Sequence, residues 1–151
     1  MTTASLSKNL PDNIRNMING DLPMPPVAKL IGFNLTSMKP GQAVIELEAT
    51  DRHANPMGTL HGGILCDIAD AAMGIAYASL LQKGETFTTL ELKINFLKPV
   101  WCAKLQAEGR VVSPGKSIGL VECDIIDDKH RLVARASSTC MTLRGKRAIG
   151  R

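Results

Sequence analysis

The stretch Asn55-Pro56-Met57-Gly58-Thr59-Leu60-His61-Gly62-Gly63, running on through Ile64-Leu65-Cys66-Asp67-Ile68-Ala69-Asp70 to Leu81, decides the fold. It reads as a loop that turns into a helix at His61-Gly62-Gly63. From Ile64 to Leu81 the polar residues are few: Asp67, Asp70, Tyr77 and Ser79. A helix that is apolar on nearly all sides is buried on nearly all sides. A carboxylate in such a helix costs free energy unless it is paired or functional. Lys83-Gly84 is expected to end the helix, with a cation in the last turn and a glycine at the stop.

On either side of this stretch the period changes. Upstream, Leu10 to Asn19 predicts a short helix ending at Gly20, and Pro23, Pro25 and Pro26 enforce a loop. Val27 to Ile31 adds one more turn. Phe33 to Met38 and Ala43 to Thr50 alternate about the turn Lys39-Pro40-Gly41 and predict an antiparallel hairpin with one buried face. Downstream, Leu90, Leu92, Ile94 and Phe96 alternate with Thr89, Glu91, Lys93 and Asn95, which puts Thr89 on the polar face of its strand. Further strands follow at Leu105 to Val111, Ile118 to Ile126 and Leu132 to Leu143. The turns Ser113-Pro114-Gly115 and Asp127-Asp128-Lys129 are too short for parallel crossovers, so the sheet is expected to be antiparallel. One central helix then needs a curved sheet around it, an α+β architecture.

Composition excludes several classes. At 151 residues the chain is expected to form one domain with a real core. Aromatics make up only 3%, too few for the stacking platforms of a single-stranded nucleic-acid binder. The net charge of +4 resides in the tail: Arg144, Lys146, Arg147 and Arg151 account for four of the 18 basic residues, leaving 14 against 14 acidic ones. That tail reads as a solvated, loose end. Cys66, Cys102, Cys123 and Cys140 show no metal or redox spacing and read as reduced core residues. Three scattered histidines complete no zinc pattern. Met1 to Lys8 has no hydrophobic signal core, and two aspartates argue against a membrane span by Ile64 to Leu81. The protein is therefore read as cytoplasmic.

Asn55-x2-Gly58-x2-His61-Gly62-Gly63 followed by Ile68-Ala69-Asp70 resembles the active-site signature of hotdog-fold acyl-CoA thioesterases. The likeness is to the phenylacetate-pathway (PaaI-like) type of the 4-hydroxybenzoyl-CoA thioesterase superfamily. Thr89 to Pro99 is similar to the family strand after the helix. The resemblance spans roughly Gly32 to Leu143. It implies an N-terminal helical and loop segment (1–31), a hotdog thioesterase domain (32–143) and a basic tail (144–151). It also implies a curved antiparallel sheet wrapped around a long central helix. The expected assembly is a homodimer, often paired into a homotetramer, with acyl-CoA at the subunit interface. No metal or redox cofactor is implied, coenzyme A being part of the substrate.

By the same resemblance, Asp70 matches the catalytic carboxylate, facing a thioester held by the other subunit's helix start. Gly62 matches the residue whose N–H polarises the thioester carbonyl. His61 and Asn55 match positions that orient loop, substrate or water, and Thr89 a hydroxyl near that water. The residues alone leave more open. Gly62 and Gly63 can serve tight packing or oxyanion stabilisation by free N–H groups. Asp67 and Asp70 point within about 60° of each other, so periodicity does not separate them. Desolvation of either would raise its pKa, as suits a general base. Asn55, before Pro56, equally suits a turn. His53 and His130 carry no signal. Arg110, Lys116 and Ser117, flanking Pro114-Gly115, are candidates for the CoA phosphates together with the tail arginines. Two rival functions are an enoyl-CoA hydratase on the same fold, whose histidine–carboxylate motif is missing from this sequence, and a non-catalytic acyl-CoA-binding or sensing domain.

Overall fold

A computed structural model describes residues 9–149. Its helices are α1 (Leu10–Ile18), α2 (Pro26–Ile31) and α3 (Gly62–Ala78). Its strands are β1 (Phe33–Lys39), β2 (Gln42–Ala49), β3 (Thr86–Phe96), β4 (Ala103–Ser113), β5 (Ile118–Asp127) and β6 (Leu132–Leu143). Met1 to Lys8, Gly150 and Arg151 lie outside the described residues, and with them the expectation of a missing signal core and part of the basic tail.

The six strands form one antiparallel sheet in the order β1-β2-β4-β5-β6-β3. Alternating apolar residues form the inner face. Ile45 and Leu47 of β2, Leu105 and Ala107 of β4, Val121, Cys123 and Ile125 of β5 and Ala136 of β6 are all buried. Helix α3 lies across this face, burying Leu65, Ile68, Ala69, Ala72, Met73 and Ala76. Its small residues let it come close. A Cβ added to Gly109 of β4 would sit 2.4 Å from the Ala72 carbonyl oxygen. Helix and sheet backbone therefore touch where glycine stands.

Four details differ from the sequence reading. Helix α3 stops at Ala78, before Lys83-Gly84, and Ser79 caps and fastens its end. Its Oγ donates to the Ala76 carbonyl (2.6 Å) and accepts from Gly41 N–H (2.7 Å), tying the helix end to the β1–β2 turn. Strand β3 does not lie beside β4, its successor in sequence; it pairs with β6 and forms a sheet edge. The tail is not loose through its described part. Arg144 binds Glu85 (2.7 Å), the Lys116 carbonyl (2.9 Å) and Ser117 (3.2 Å), and Ala148 is buried in a short 3-10 turn. Among the cysteines, Cys123 and Cys140 are buried, but Cys66 is half-buried and Cys102 is exposed beside Trp101.

Both edge strands are interrupted. The register shifts between Leu35 and Ser37 in β1 and between Thr89 and Glu91 in β3. In β3 the inserted residue is Leu90, half-exposed at 51%. Phe87, Leu92 and Ile94 pack against the core on either side of it. A bulge shifts the phase of alternation by one residue. Thr89 thus faces the helix with Phe87, not the polar face that uninterrupted alternation gives it.

The N-terminal segment packs onto the same core. Ile14 of α1 is buried, and α2 ends on Gly32, whose left-handed backbone (φ 94°) lets its N–H return to the Ala28 carbonyl at 2.7 Å. His53 fastens this segment to the loop before α3. It is buried, takes the Thr50 N–H on Nδ1 (3.1 Å) and lies 2.8 Å from the Ile31 carbonyl through Nε2. That pairing sets the Nε2–H tautomer. No helix among the described residues is long and apolar enough to cross a membrane.

Candidate active site

The loop and helix start form a self-fastened unit. Asn55 Oδ1 accepts from Met57 N–H (2.9 Å) and Thr59 N–H (3.3 Å), and Nδ2 donates to Thr59 Oγ1 (2.8 Å). Asn55 thus closes an Asx turn and spends its amide inside the loop. His61 caps α3: its Nδ1 accepts from Gly63 N–H at 2.9 Å, and its own N–H bonds the His53 carbonyl. The Gly63 N–H is therefore taken. The Gly62 N–H, first of the helix, has no partner among the described residues. It carries the partial positive charge of the helix start. Gly62 also admits the Phe96 ring, which a Cβ there would meet at 2.9 Å. This helix start opens on a cavity of about 420 Å³ shared with Asn55, Thr59 and Phe96.

Asp70 lies in a different cavity, of about 480 Å³, between α1, α3, β1 and β3. Its Oδ1 accepts from Thr89 Oγ1 at 3.0 Å. Asp67 lines the same cavity and has no hydrogen-bond partner among the described residues. Asp67 is exposed on the single chain, and partial desolvation against the cavity wall, followed by the Asp70 charge, raises the pKa of its carboxyl. The two carboxylates are thus distinguished by surroundings: Asp70 is held by a hydroxyl, Asp67 is unpaired. Burial likewise pushes the Cys66 thiol up, with the Asp67 charge adding to it, which disfavours a thiolate nucleophile. Among the described residues no group of three or more His, Cys, Asp and Glu is placed to hold a metal.

The candidate phosphate ligands are not brought to either cavity. Arg110 on β4 is engaged by Glu122 (2.7 Å) and Asp124 (3.4 Å), both on the adjoining strand β5. Lys116 and Ser117 sit in the β4–β5 turn, beyond the C-terminal end of α3, fixed by Arg144. Sequence reasoning missed His53, because its partners at Ile31 and Thr50 are backbone atoms that no side-chain motif marks. It also missed the part α1 takes in the Asp70 cavity.

Comparison with known proteins follows the same lines. The thioesterase superfamily profile matches residues 57–134, from the loop before α3 into β6. The chain belongs to the thioesterase superfamily. This thioesterase is 32% identical over 108 residues to acyl-coenzyme A thioesterase PaaI of Escherichia coli, covering 71% of this chain and 75% of that protein. It is 30% identical over 109 residues to 1,4-dihydroxy-2-naphthoyl-CoA hydrolase of Listeria monocytogenes, covering 72% of this chain and 89% of that one. The solved structure of Escherichia coli PaaI, from the phenylacetic acid degradation operon, superposes with a TM-score of 0.77 at 25% identity, covering 95% of this chain and 98% of that one. A phenylacetic acid degradation-related protein from Ralstonia eutropha gives a TM-score of 0.77 at 29% identity, over 84% of this chain and 97% of that one. The fold is the hotdog fold, and the protein is a PaaI-like thioester hydrolase.

Proposed function

We propose that this thioesterase hydrolyses an acyl-CoA thioester to a free acid and CoA, in a site shared by two copies of the chain. The observation that carries the reading is the Asp70 carboxylate. Thr89 fixes it at the polar end of an apolar cavity, on the same helix whose first N–H is unpartnered. One chain does not bring these two groups to one carbonyl. Gly62 and Asp70 are separated by about 12 Å of helix at 1.5 Å per residue. An oxyanion donor and a base must each lie within about 3 Å of the reacting atoms. A second copy joined along the exposed β3 edge, where Leu90 and Phe96 are half-exposed, supplies the missing half. The family resemblance extends this homodimer to a homotetramer.

In this reading the Gly62 N–H of one copy polarises the carbonyl and stabilises the oxyanion. Asp70 of the other copy acts by one of two routes. As a base it takes a proton from water while the hydroxide adds to the carbonyl carbon. The tetrahedral adduct then breaks its C–S bond, and the proton passes to the CoA sulfur. As a nucleophile, Asp70 Oδ2 adds to the carbon and the C–S bond breaks, giving a mixed anhydride that water hydrolyses. In both routes Thr89 holds Oδ1, while His61 and Asn55 keep the helix start in place. Coenzyme A enters as part of the substrate, and neither route calls on a metal or redox cofactor. The relatives named as CoA-thioester hydrolases support the substrate class.

Thiol release from a panel of aryl and aliphatic acyl-CoAs tests the reading. Asp70→Asn and Asp70→Ala are expected to lower kcat by about 10² to 10⁴. Gly62→Pro removes the N–H at a position where proline starts helices well; His61 already has the extended backbone (ψ 131°) a following proline requires, and the tip of the Phe96 side chain, 2.9 Å from the added Cβ, must shift to admit the ring. Co-expressing Gly62→Pro with Asp70→Asn rebuilds one intact site per mixed dimer and is expected to restore about a quarter of wild-type activity. Full activity of both Asp70 variants, or a mixture no more active than its parents, overturns the reading.

A further inference from the structure

The Asp70 cavity has a polar end and an apolar length. On α3 it is lined by Asp67, Asp70, Ala71, Gly74, Ile75 and Ala78, one stripe along the helix. Its polar side chains, Asp67, Asp70 and Thr89, cluster at the end of this stripe nearer the helix start, with Asp70 at the middle of α3. Beyond Asp70 the helix lines the cavity with Ala71, Gly74, Ile75 and Ala78, which carry no side-chain donor or acceptor. Gly74 widens the passage at mid-length, where a Cβ would meet the Phe87 ring at 3.0 Å. The facing wall comes from the N-terminal segment, through Leu10, Ile14, Met17 and Met24. These residues lie outside the matched region, 57–134.

We infer that this N-terminal wall selects the acyl group, and that the substrates are CoA thioesters of unsubstituted aliphatic chains near ten carbons long, an inference that rests on the hydrolase reading above. The length follows from the helix. Asp70 to Ala78 rises about 12 Å. An extended chain advances about 1.2 Å per bond, since three backbone bonds span about 3.6 Å. A carbonyl held beside Asp70 thus places about ten carbons along the cavity. The chemistry follows from the lining. A hydroxyl on the chain would be buried without a partner. Two methionines, unbranched and flexible, conform to a flexible chain.

The test is kcat/KM across straight-chain acyl-CoAs of two to sixteen carbons, with 10-hydroxydecanoyl-CoA and 4-hydroxybenzoyl-CoA alongside. Wild type is expected to peak near ten carbons and to turn over 10-hydroxydecanoyl-CoA about tenfold less well than decanoyl-CoA. Met17→Trp and Met24→Trp narrow the cavity and should lower the decanoyl-to-butanoyl ratio about tenfold. Met17→Ala should move the optimum to longer chains. A merely structural role for α1 would scale all chains alike and leave the ratio fixed. Circular dichroism establishes that each variant is folded, and the three variants at two positions make the outcome independent of any one folding. Hydrolysis with an unmoved ratio in the folded variants, or a preference for the hydroxylated substrates, overturns the inference while leaving the hydrolase reading intact. Absence of thiol release from every thioester overturns both.

Discussion

Replacing Gly109 by alanine tests the packing on which the site depends. The added Cβ would lie 2.4 Å from the Ala72 oxygen, 2.5 Å from the Ala72 carbonyl carbon and 2.9 Å from the Met73 nitrogen. Ordinary contact begins near 3.4 Å, so about 1 Å of separation must be found. The sheet cannot easily supply it, because Gly109 is paired on one side with Ala43 and on the other with Cys123. The obstructing atoms are helix backbone, so no rotamer change relieves them. The helix must lift, and overpacking of this kind costs about 1–3 kcal/mol. At about 2–4 °C per kcal/mol for a chain of this size, Tm should fall by about 2–12 °C. Asp70 lies half a turn before Ala72 and moves with it, away from Thr89. A displacement of about 1 Å in a reacting group costs about 10² in rate. Thermal unfolding by circular dichroism and thiol release well below Tm read the two effects. A Gly109→Ala variant with wild-type Tm and kcat would refute the argument that helix and sheet backbone are in contact and that this contact aims Asp70.

Three further expectations concern single groups. Thr89→Val keeps a β-branched strand residue but removes the hydrogen bond to Asp70, and kcat should fall about ten- to hundredfold with little change in Tm; unchanged kcat would make Thr89 structural only. Asp127 is buried, bonded to Arg131 and to the Lys129 and Arg131 N–H groups, which hold its pKa down at about 2. A depressed carboxylate stabilises above its unfolded pKa, so the Tm advantage of wild type over Asp127→Asn should be constant above about pH 5 and shrink as pH falls toward 2; an advantage that persists unchanged at pH 2 would contradict it. Asp67 has the opposite sign: its raised pKa makes ionisation a penalty that grows as pH rises through the unfolded value, so Asp67→Asn should gain Tm over wild type at pH 7 and lose that gain by about pH 3, and a variant less stable at pH 7 would argue that Asp67 is paired.

The elements were legible because burial follows period. The inward residues of β2 and β4 are those the alternation picks out, and the apolar run after His61-Gly62-Gly63 is the central helix. Pairing order was less so. Alternation says which face a strand buries but not which neighbour it takes, so the placement of β3 beside β6 was invisible. Thr89 was turned to the wrong face by one inserted residue, Leu90, which local propensity does not mark as a bulge. The helix end was placed late because Ser79, which binds across to Gly41, reads in sequence like any small polar residue. His61 and Asn55 were expected to orient loop, substrate or water, and the side-chain bonds they make in the single chain lie within the loop and the helix start. Arg110 looked available for phosphate because Glu122 and Asp124, its partners, sit on the following strand. The apolar spacing of Leu10 and Ile14 signalled a packed helix face, and a face that packs looks the same in sequence as one that lines a cavity.

The bulges in β1 and β3 bear on what this protein avoids becoming. Its sheet ends in two free edges, and β3 leaves Leu90 and Phe96 half-exposed along one of them. Open-ended growth into a fibre would require the β1 edge of each copy to form a continuous ladder with the β3 edge of the next. Both edges break register in mid-strand, one around Thr36 and the other at Leu90. A ladder started on either side of a break is carried out of step beyond it. The proposed pairing of β3 with a copy of itself, with the same irregularity on both sides, gives a closed dimer in place of a filament that adds subunits without limit.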